Sequence, residues 1–451
     1  MKEVRSVDPY ELVETGLKLS HQAGADEAEA FFLEHSSLAI EVRGGKLETL
    51  RQSKERGIGL RVLKGGSLGY AFTSDLSSSA LTEAAQAAVA NAACVTPDEA
   101  RLFPAPADWD RALAQYDPAI AGTPIEAKID LALGIEQAAF AHDRRITKSE
   151  RAAYEEGEYQ VAIANSHGLK AGYRGNFCGG YAWVVAEEAG DSETGSGLFY
   201  TTKLGELDAG AIGREAAHEA VRLLGAKPIP TQKLALVLPP QAATQFLGIL
   251  APALTAEAVQ KKRSLFAGRL GEQVGAAAVT IIDDGTLPGG INTSPVDGEG
   301  VPTQRTTLVA QGRLENFLHN AYTAAKEGKR STGNGMRSSF KGAPEVGPTN
   351  MFIAPGHAAP QELIAGVDKG LYVLDLMGTH TANPISGDFS LGATGILIEH
   401  GRFTQPVRGV VIAGNAITLL KEIQAAASDL RFYLGFGSPT LVLGPLTVSG
   451  A

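Results

Sequence analysis

The chain has 451 residues, more than one ordinary domain and enough for two or three. Its 40 Lys and Arg against 50 Asp and Glu leave a formal charge of −10, which argues against a nucleic-acid binder, whose affinity comes largely from cationic side chains. Hydrophobic residues at 44% exclude wholesale disorder, and no apolar run reaches the ~20 residues that a membrane-spanning helix needs. The two cysteines, Cys94 and Cys178, form neither a CxxC pair nor a disulfide framework, which fits a reducing compartment. The start, MKEVRSVDPY, lacks the uninterrupted apolar core of a signal peptide, so a cytoplasmic location is expected.

The first elements repeat. Asp8-Pro9-Tyr10-Glu11 reads as a helix start, with Asp8 as cap, Pro9 in the first turn and Glu11 placed for a capping box; Gly24 ends that helix. Short strand-like stretches follow at 28–33, 39–43, 46–50, 59–63 and 68–72, with Gly44-Gly45 and Gly65-Gly66 as tight turns, and a helix over 81–93 closes the unit. Thr123-Pro124-Ile125-Glu126 then begins a second helix of the same kind, with Ile125, Ile129, Leu133 and Phe140 at helical spacing. Strands are expected at 159–165, 169–174, 181–186 and 198–202, and a closing helix at 209–224. Glu215 to Val221 of that helix mirrors Glu83 to Val89 of the first. The reading is a duplication, with residues 1–95 and 123–228 as units and a proline-spaced connector at 96–122, too long for an ordinary loop.

Residues 229–451 differ. An apolar strand at 234–238 is broken by Pro239-Pro240, a short apolar helix is expected over 242–251, and strands are expected at 277–282, 306–310, 351–354, 371–376, 395–399, 407–412 and 440–443. The fold class expected is therefore α+β: a duplicated helix–β-meander–helix N-terminal domain and a β-rich C-terminal domain on a curled sheet. Gly387, Gly392, Gly395 and Gly401 imply close backbone approach or hairpin bends.

Chemical motifs are sparse. Neither Gly44-Gly45-Lys46 nor Lys64-Gly65-Gly66 completes a phosphate-binding loop, and the segment from Gly387 to Gly392 has one residue too many for a GxSxG elbow around Ser390. His218-Glu219 starts like a zinc-protease HExxH, but Arg222 and Leu223 end the match, and His218 reads as a solvated helix residue. The densest polar cluster near apolar strands is Asp375, His380 and Asp388; a metal site there would need His319 or His357 as well, and the plainer reading is a polar loop bonding its own backbone. Lys261-Lys262-Arg263 reads as a solvated basic face, with an acidic partner as the alternative.

Several strings, in order, resemble one family: 297–303 (DGEGVPT), 331–334 (STGN), 348–350 (PTN), 380–384 (HTANP), 387–390 (GDFS) and 412–415 (IAGN). Together they are similar to the TldD/PmbA family, also called modulator of DNA gyrase, and to its PmbA/TldE branch, over nearly the whole chain. The resemblance implies a cytoplasmic zinc metalloprotease of two related subunits, acting on unfolded or small peptides. In the TldD branch a helix carries HExxxH and a later loop adds a Cys ligand. The helix expected to correspond here, at 242–251, reads AATQFLGILA, and the later loop around His380 has no Cys. The resemblance thus implies a non-catalytic partner with no catalytic residue and no metal ligand of its own, zinc being expected in an HExxxH partner subunit.

The partners implied are a TldD-like HExxxH subunit or a second copy in a homodimer, and a peptide substrate, with no direct nucleic acid and no membrane. Arg305, Asn350, His380 and Asp388 are the candidate substrate or partner contacts. Two alternatives stand beside this: an autonomous hydrolase using His380, Asp388 and His319, and a non-proteolytic binding protein that modulates gyrase.

Overall fold

The computed structural model describes residues 8–450; most of the start on which the signal-peptide reading rests (residues 1–7) lies outside them. Helix α1 (Pro9–Gln22) begins as expected, with the Asp8 carboxylate accepting from the Tyr10 N–H at 2.9 Å. It buries Leu12 and Val13, and the chain leaves it through Gly24 at φ +100°. Three strands follow, β1 (Glu27–Arg43), β2 (Lys46–Lys64) and β3 (Ser67–Thr73), then α2 (Ser78–Ala92). The five short stretches expected here are thus three strands. Residues 34–37 and 51–57 carry no apolar alternation, yet the ladder runs through them, with Arg56 opposite Glu34 and Lys54 reaching Glu34 diagonally.

The second unit holds α3 (Pro118–Gly122), α4 (Ile125–His142), β4 (Ile146–Asn165), β5 (Lys170–Glu188), β6 (Asp191–Thr201) and α5 (Ala209–Val221). Thr123, read as the cap of α4, instead closes α3: its hydroxyl donates to the Ala119 carbonyl at 2.7 Å, and Pro124 precedes α4 with no side-chain cap.

Both units share one antiparallel sheet in the order β3-β2-β1-β4-β5-β6. The central pair, β1 with β4, runs in unbroken register from Glu29–Asn165 to Val42–Ala152. Alternate residues of β1 point to one face. Ala28, Ala30 and Phe32 pack under α1 and α2, and Leu38, Ile40 and Val42 pack under α4 and α5. The helix pairs therefore cover opposite ends of the same face. Each edge strand carries a glycine under an alanine-rich helix. A Cβ at Gly69 would sit 1.9 Å from the Ala88 carbonyl oxygen of α2, and one at Gly195 2.3 Å from that of Ala216 of α5.

The connector crosses the molecule as a strap. Phe103 is buried, the Asn165 side chain donates to the Pro104 carbonyl at 2.8 Å, and the Gln115 side chain donates to the Gly290 carbonyl at 2.8 Å.

In the C-terminal half, β7 (Gln232–Leu238) leads into α6 (Pro240–Leu250). Strand β7 pairs in parallel with Lys369–Met377, which continues through Asp388–Glu399 to Arg402–Asn415. Leu441–Ser449 pairs with both β7 and Arg402–Asn415, which closes the curled sheet into a barrel. Gly395 allows one tight bend, since a Cβ there would meet the Tyr372 carbonyl oxygen at 2.1 Å. A second sheet is built from Ile281–Asp284, Arg305–Ala310, Met351–Ile353 and three short strands. The strand expected at 277–282 starts later because the chain turns first, the Val279 N–H donating to the Ala276 carbonyl at 2.9 Å. The largest apolar cluster lies here, between α6, the barrel and the second sheet.

Candidate functional site

Helix α6 starts at Pro240, where a missing N–H costs nothing, and buries Phe246, Leu247 and Leu250 in the core. Gln241 and Gln245, four residues apart, share one helix face. Gln245 donates to Asp375 Oδ1 at 3.1 Å and accepts from the Leu376 N–H at 3.2 Å, so its amide is fixed to the barrel. Both glutamines line a cleft of about 510 Å3 between α6, the barrel and β6. Trp183 of β5 forms part of its wall and is 46% exposed. Glu193 and Glu219 also line it, paired with Arg408 at 2.7 Å and Arg222 at 3.1 Å. Among the described residues no strand pairs with the outer edge of β6, whose Leu198 carbonyl accepts from Arg431 at 3.0 Å. The cleft thus offers an unpaired strand edge opposite a helix with amide side chains. Among the described residues no three His, Cys, Asp or Glu side chains are grouped to hold a metal ion, and the side chains of α6 do not fit zinc.

The residues singled out from the sequence are dispersed. Asn350 is fully buried and ties loops together: its amide donates to the Asp284 carbonyl at 2.8 Å and to Thr293 Oγ1 at 3.0 Å, and its oxygen accepts from the Asn292 N–H at 3.1 Å. Arg305 is exposed and lies 3.5 Å from Asp284. His380 sits in the exposed turn Thr379–Thr381 and, among the described residues, forms no hydrogen bond or ion pair with Asp388 or His319. Asp388 is exposed as well; hydrogen bonds from Asn415 and Ser386 hold its carboxyl below the usual range. Asn383 accepts from the N–H groups of Ile385 and Ser386, so this segment bonds its own backbone. His319 is buried elsewhere, 3.9 Å from Glu327, and neither ring nitrogen has a hydrogen-bond partner among the described residues. Burial holds its pKa below the ordinary value against the pull of Glu327. His218 is exposed on α5, as read, and its ring packs edge-on to His142 at 6.3 Å.

Three of the six strings that carried the resemblance, 297–303, 331–334 and 348–350, meet in one buried network that sequence reasoning did not anticipate. Asp297 accepts from the N–H groups of Glu299, Val301 and Gly335. Asp283 accepts from Thr349 at 2.7 Å and 2.9 Å and from the Asn334 amide at 2.7 Å. Burial raises the Asp283 carboxyl to about 6 despite these donors, and burial together with the charge of Glu299 raises Asp297. Glu299 reaches the other half, accepting from Arg61 at 3.2 Å. Arg61 forks onto Glu29 at 2.9 and 2.6 Å, and Glu29 also accepts from Arg337. Burial alone would raise Glu29, but Arg337 and Arg61 hold it below the usual range. The one available signal was apolar alternation broken by a charge: Glu29 and Arg61 stand in otherwise apolar strand segments.

Three family models match the chain: the PmbA/TldA metallopeptidase domain 1 over residues 28–92, the central domain over 118–224 and the C-terminal domain over 231–450. The chain is 28% identical to the metalloprotease PmbA of Escherichia coli O157:H7, over 98% of this chain and 96% of that protein. It is also 28% identical to a metalloprotease TldD homolog of Haemophilus influenzae, over 88% of this chain and 87% of that protein. A crystal structure from Thermotoga maritima, described as a candidate modulator of a DNA gyrase, superposes with a TM-score of 0.89 at 29% identity, covering 97% of this chain and 99% of that one. The crystal structure of TldE from Thermococcus kodakarensis shares the fold, with a TM-score of 0.90 at 22% identity over 97% of this chain and 100% of that one.

Proposed function

Because the chain belongs to the PmbA/TldD metallopeptidase family, we propose that it serves as the metal-free subunit of a cytoplasmic zinc protease that degrades unfolded or small peptides. The observation that carries this reading is α6, whose cleft-facing side chains are amides where an HExxxH helix would place ligands. An amide neither binds zinc as a carboxylate or imidazole does nor takes a proton from water at neutral pH. The zinc and its general base would come from an HExxxH partner. This chain would supply one wall of the channel.

That wall suits an extended chain. The edge of β6 offers main-chain donors and acceptors, and pairing with them tolerates many side chains, so access would select the substrate more than sequence would. The exposed Cys94 and buried Cys178 are both free, which fits a reducing cytoplasm.

The test is a mixing experiment with an HExxxH subunit, with zinc analysis and cleavage of an unfolded peptide by each chain alone and by both together. This chain alone is expected to bind no stoichiometric zinc and cleave nothing, and to raise cleavage by its partner. Zinc-loaded homodimers that cleave the peptide would overturn the reading. Capture of a gyrase subunit without any HExxxH protein would favour a non-proteolytic role instead.

A further inference from the structure

A second cavity, of about 290 Å3, lies on the sheet face that the helices leave uncovered. Phe31 of β1, Tyr159 of β4, and Tyr173 and Phe177 of β5 line it, and Met336 and Arg337 close it from the C-terminal half. It shares no lining residue with the cleft at α6. Its volume falls just below the ~300–1,000 Å3 of small-molecule sites, which suits one large side chain better than a whole cofactor. Tyr159 and Tyr173 already meet edge to face at 6.1 Å, the geometry by which a further ring would join them.

Arg337 gives the cavity its polar requirement. Its side chain is 1% exposed and lies against Phe31, with the guanidinium carbon 4.5 Å from the ring centre. One terminal nitrogen donates to Glu29, while Nε and Nη1 find no acceptor among the described residues. Such donors are costly when buried, and a guanidinium cannot shed its proton to escape that cost. The missing acceptor is a neutral one. Arg61 and Arg337 already stand against Glu29 and Glu299, and Asp297 is buried beside Glu299, so a further carboxylate would meet repulsion.

We propose that this cavity binds an aromatic side chain of an extended peptide and that Arg337 donates to the main-chain carbonyl of that residue. The inference rests on the peptide-handling role proposed above and adds a preference to it: the edge of β6 is indifferent to side chains, whereas this slot selects aromatic ones. For the carbonyl to reach Nε and Nη1, the Phe31 ring, whose centre lies 4.5 Å from the guanidinium carbon, has to turn aside.

The chain has four methionines, of which Met336 alone lines the cavity, so a methyl-labelled methionine spectrum is a direct reporter. Titration of the isolated chain with 3-phenylpropionamide is expected to shift the Met336 signal saturably and leave that of Met377 in place. The carboxylate analogue, 3-phenylpropionate, should bind about ten-fold or more weakly. Tyr159→Leu, checked for an unchanged melting curve, should weaken the amide roughly three- to ten-fold by removing one ring contact. An unmoved Met336 signal, equal or tighter binding of the carboxylate, or an unaffected Tyr159→Leu would each overturn the proposal. Because no partner subunit is present, a failure here leaves the partner reading standing, and a failure of partner activation leaves this binding measurable.

Discussion

His319 shows how one buried side chain without hydrogen-bond partners can weaken a fold. Its main chain is well bonded, the N–H donating to Thr332 Oγ1 at 2.7 Å, but both ring nitrogens are buried without partners. Such a group costs about 1–3 kcal/mol. His319→Leu keeps the main-chain bonds and is expected to hold or raise stability by about 1 kcal/mol at pH 7, read from urea midpoints. The pH dependence has a definite sign. Burial lowers the folded pKa of His319 below the ordinary 6.5, so below that pH the unfolded chain binds a proton that the folded chain refuses. Its contribution is lost as pH falls through 6.5 toward the folded value, and His319→Leu should lose less stability than the parent between pH 7 and 5. An equal loss in both proteins would rule out His319 as the cause. The sequence offered His319 as a possible ligand because residue type is visible there and surroundings are not. Asn350 was likewise legible as important, but its role, tying the end of a strand at Asp284 to the loop at Asn292 and Thr293, depends on folds of the chain that bring those residues beside it.

At the scale of elements, helix starts were legible where a local cap fixes them, as at Asp8, and misplaced where the cap answers to a neighbouring turn, as at Thr123. Long strands were read as fragments because cross-strand charge pairs leave no apolar periodicity to detect. The helices Ala321–Lys326 and Ala416–Glu422 were missed; both are short and begin at an Asn cap whose partners lie within the next few residues. Duplication was legible in the alanine-rich helices, and the structure supplies its reason: those small side chains let α2 and α5 rest almost directly on Gly69 and Gly195. A Cβ at Gly195 would also lie 2.2 Å from the Ala220 nitrogen, and a helix backbone cannot step aside as a side chain can. Gly195→Val should therefore cost ~1–3 kcal/mol or more through overpacking, seen as a lowered thermal midpoint. Gly190, whose added Cβ would meet nothing, lies in the nearby turn at φ +86°, so Gly190→Asn serves as the mild control.

At the scale of the molecule, the two halves are joined by charges taken out of water. Removing Glu299 would leave Arg61 with Glu29 alone and strip the Ala321 N–H of its acceptor at 2.8 Å. Glu299→Ala is expected to cost ~3–5 kcal/mol, and scanning calorimetry should show one lowered transition or two separated ones in place of a single cooperative event. An unchanged transition would mean that the halves do not depend on this pair. The halves are also pinned elsewhere: Gln115 of the strap bonds Gly290, Tyr322 donates to Asp98 at 2.7 Å, Arg431 grips Glu215 at 2.5 and 2.7 Å, and Arg408 reaches Asp191 at 2.9 Å. A hinge needs one axis about which contacts survive. Pins spread along the seam leave no such axis. The strap therefore behaves as a strut, and the gap beside α6 keeps a set width; under the role proposed above, such a gauge would pass a bare extended chain and turn away anything thicker without having to close.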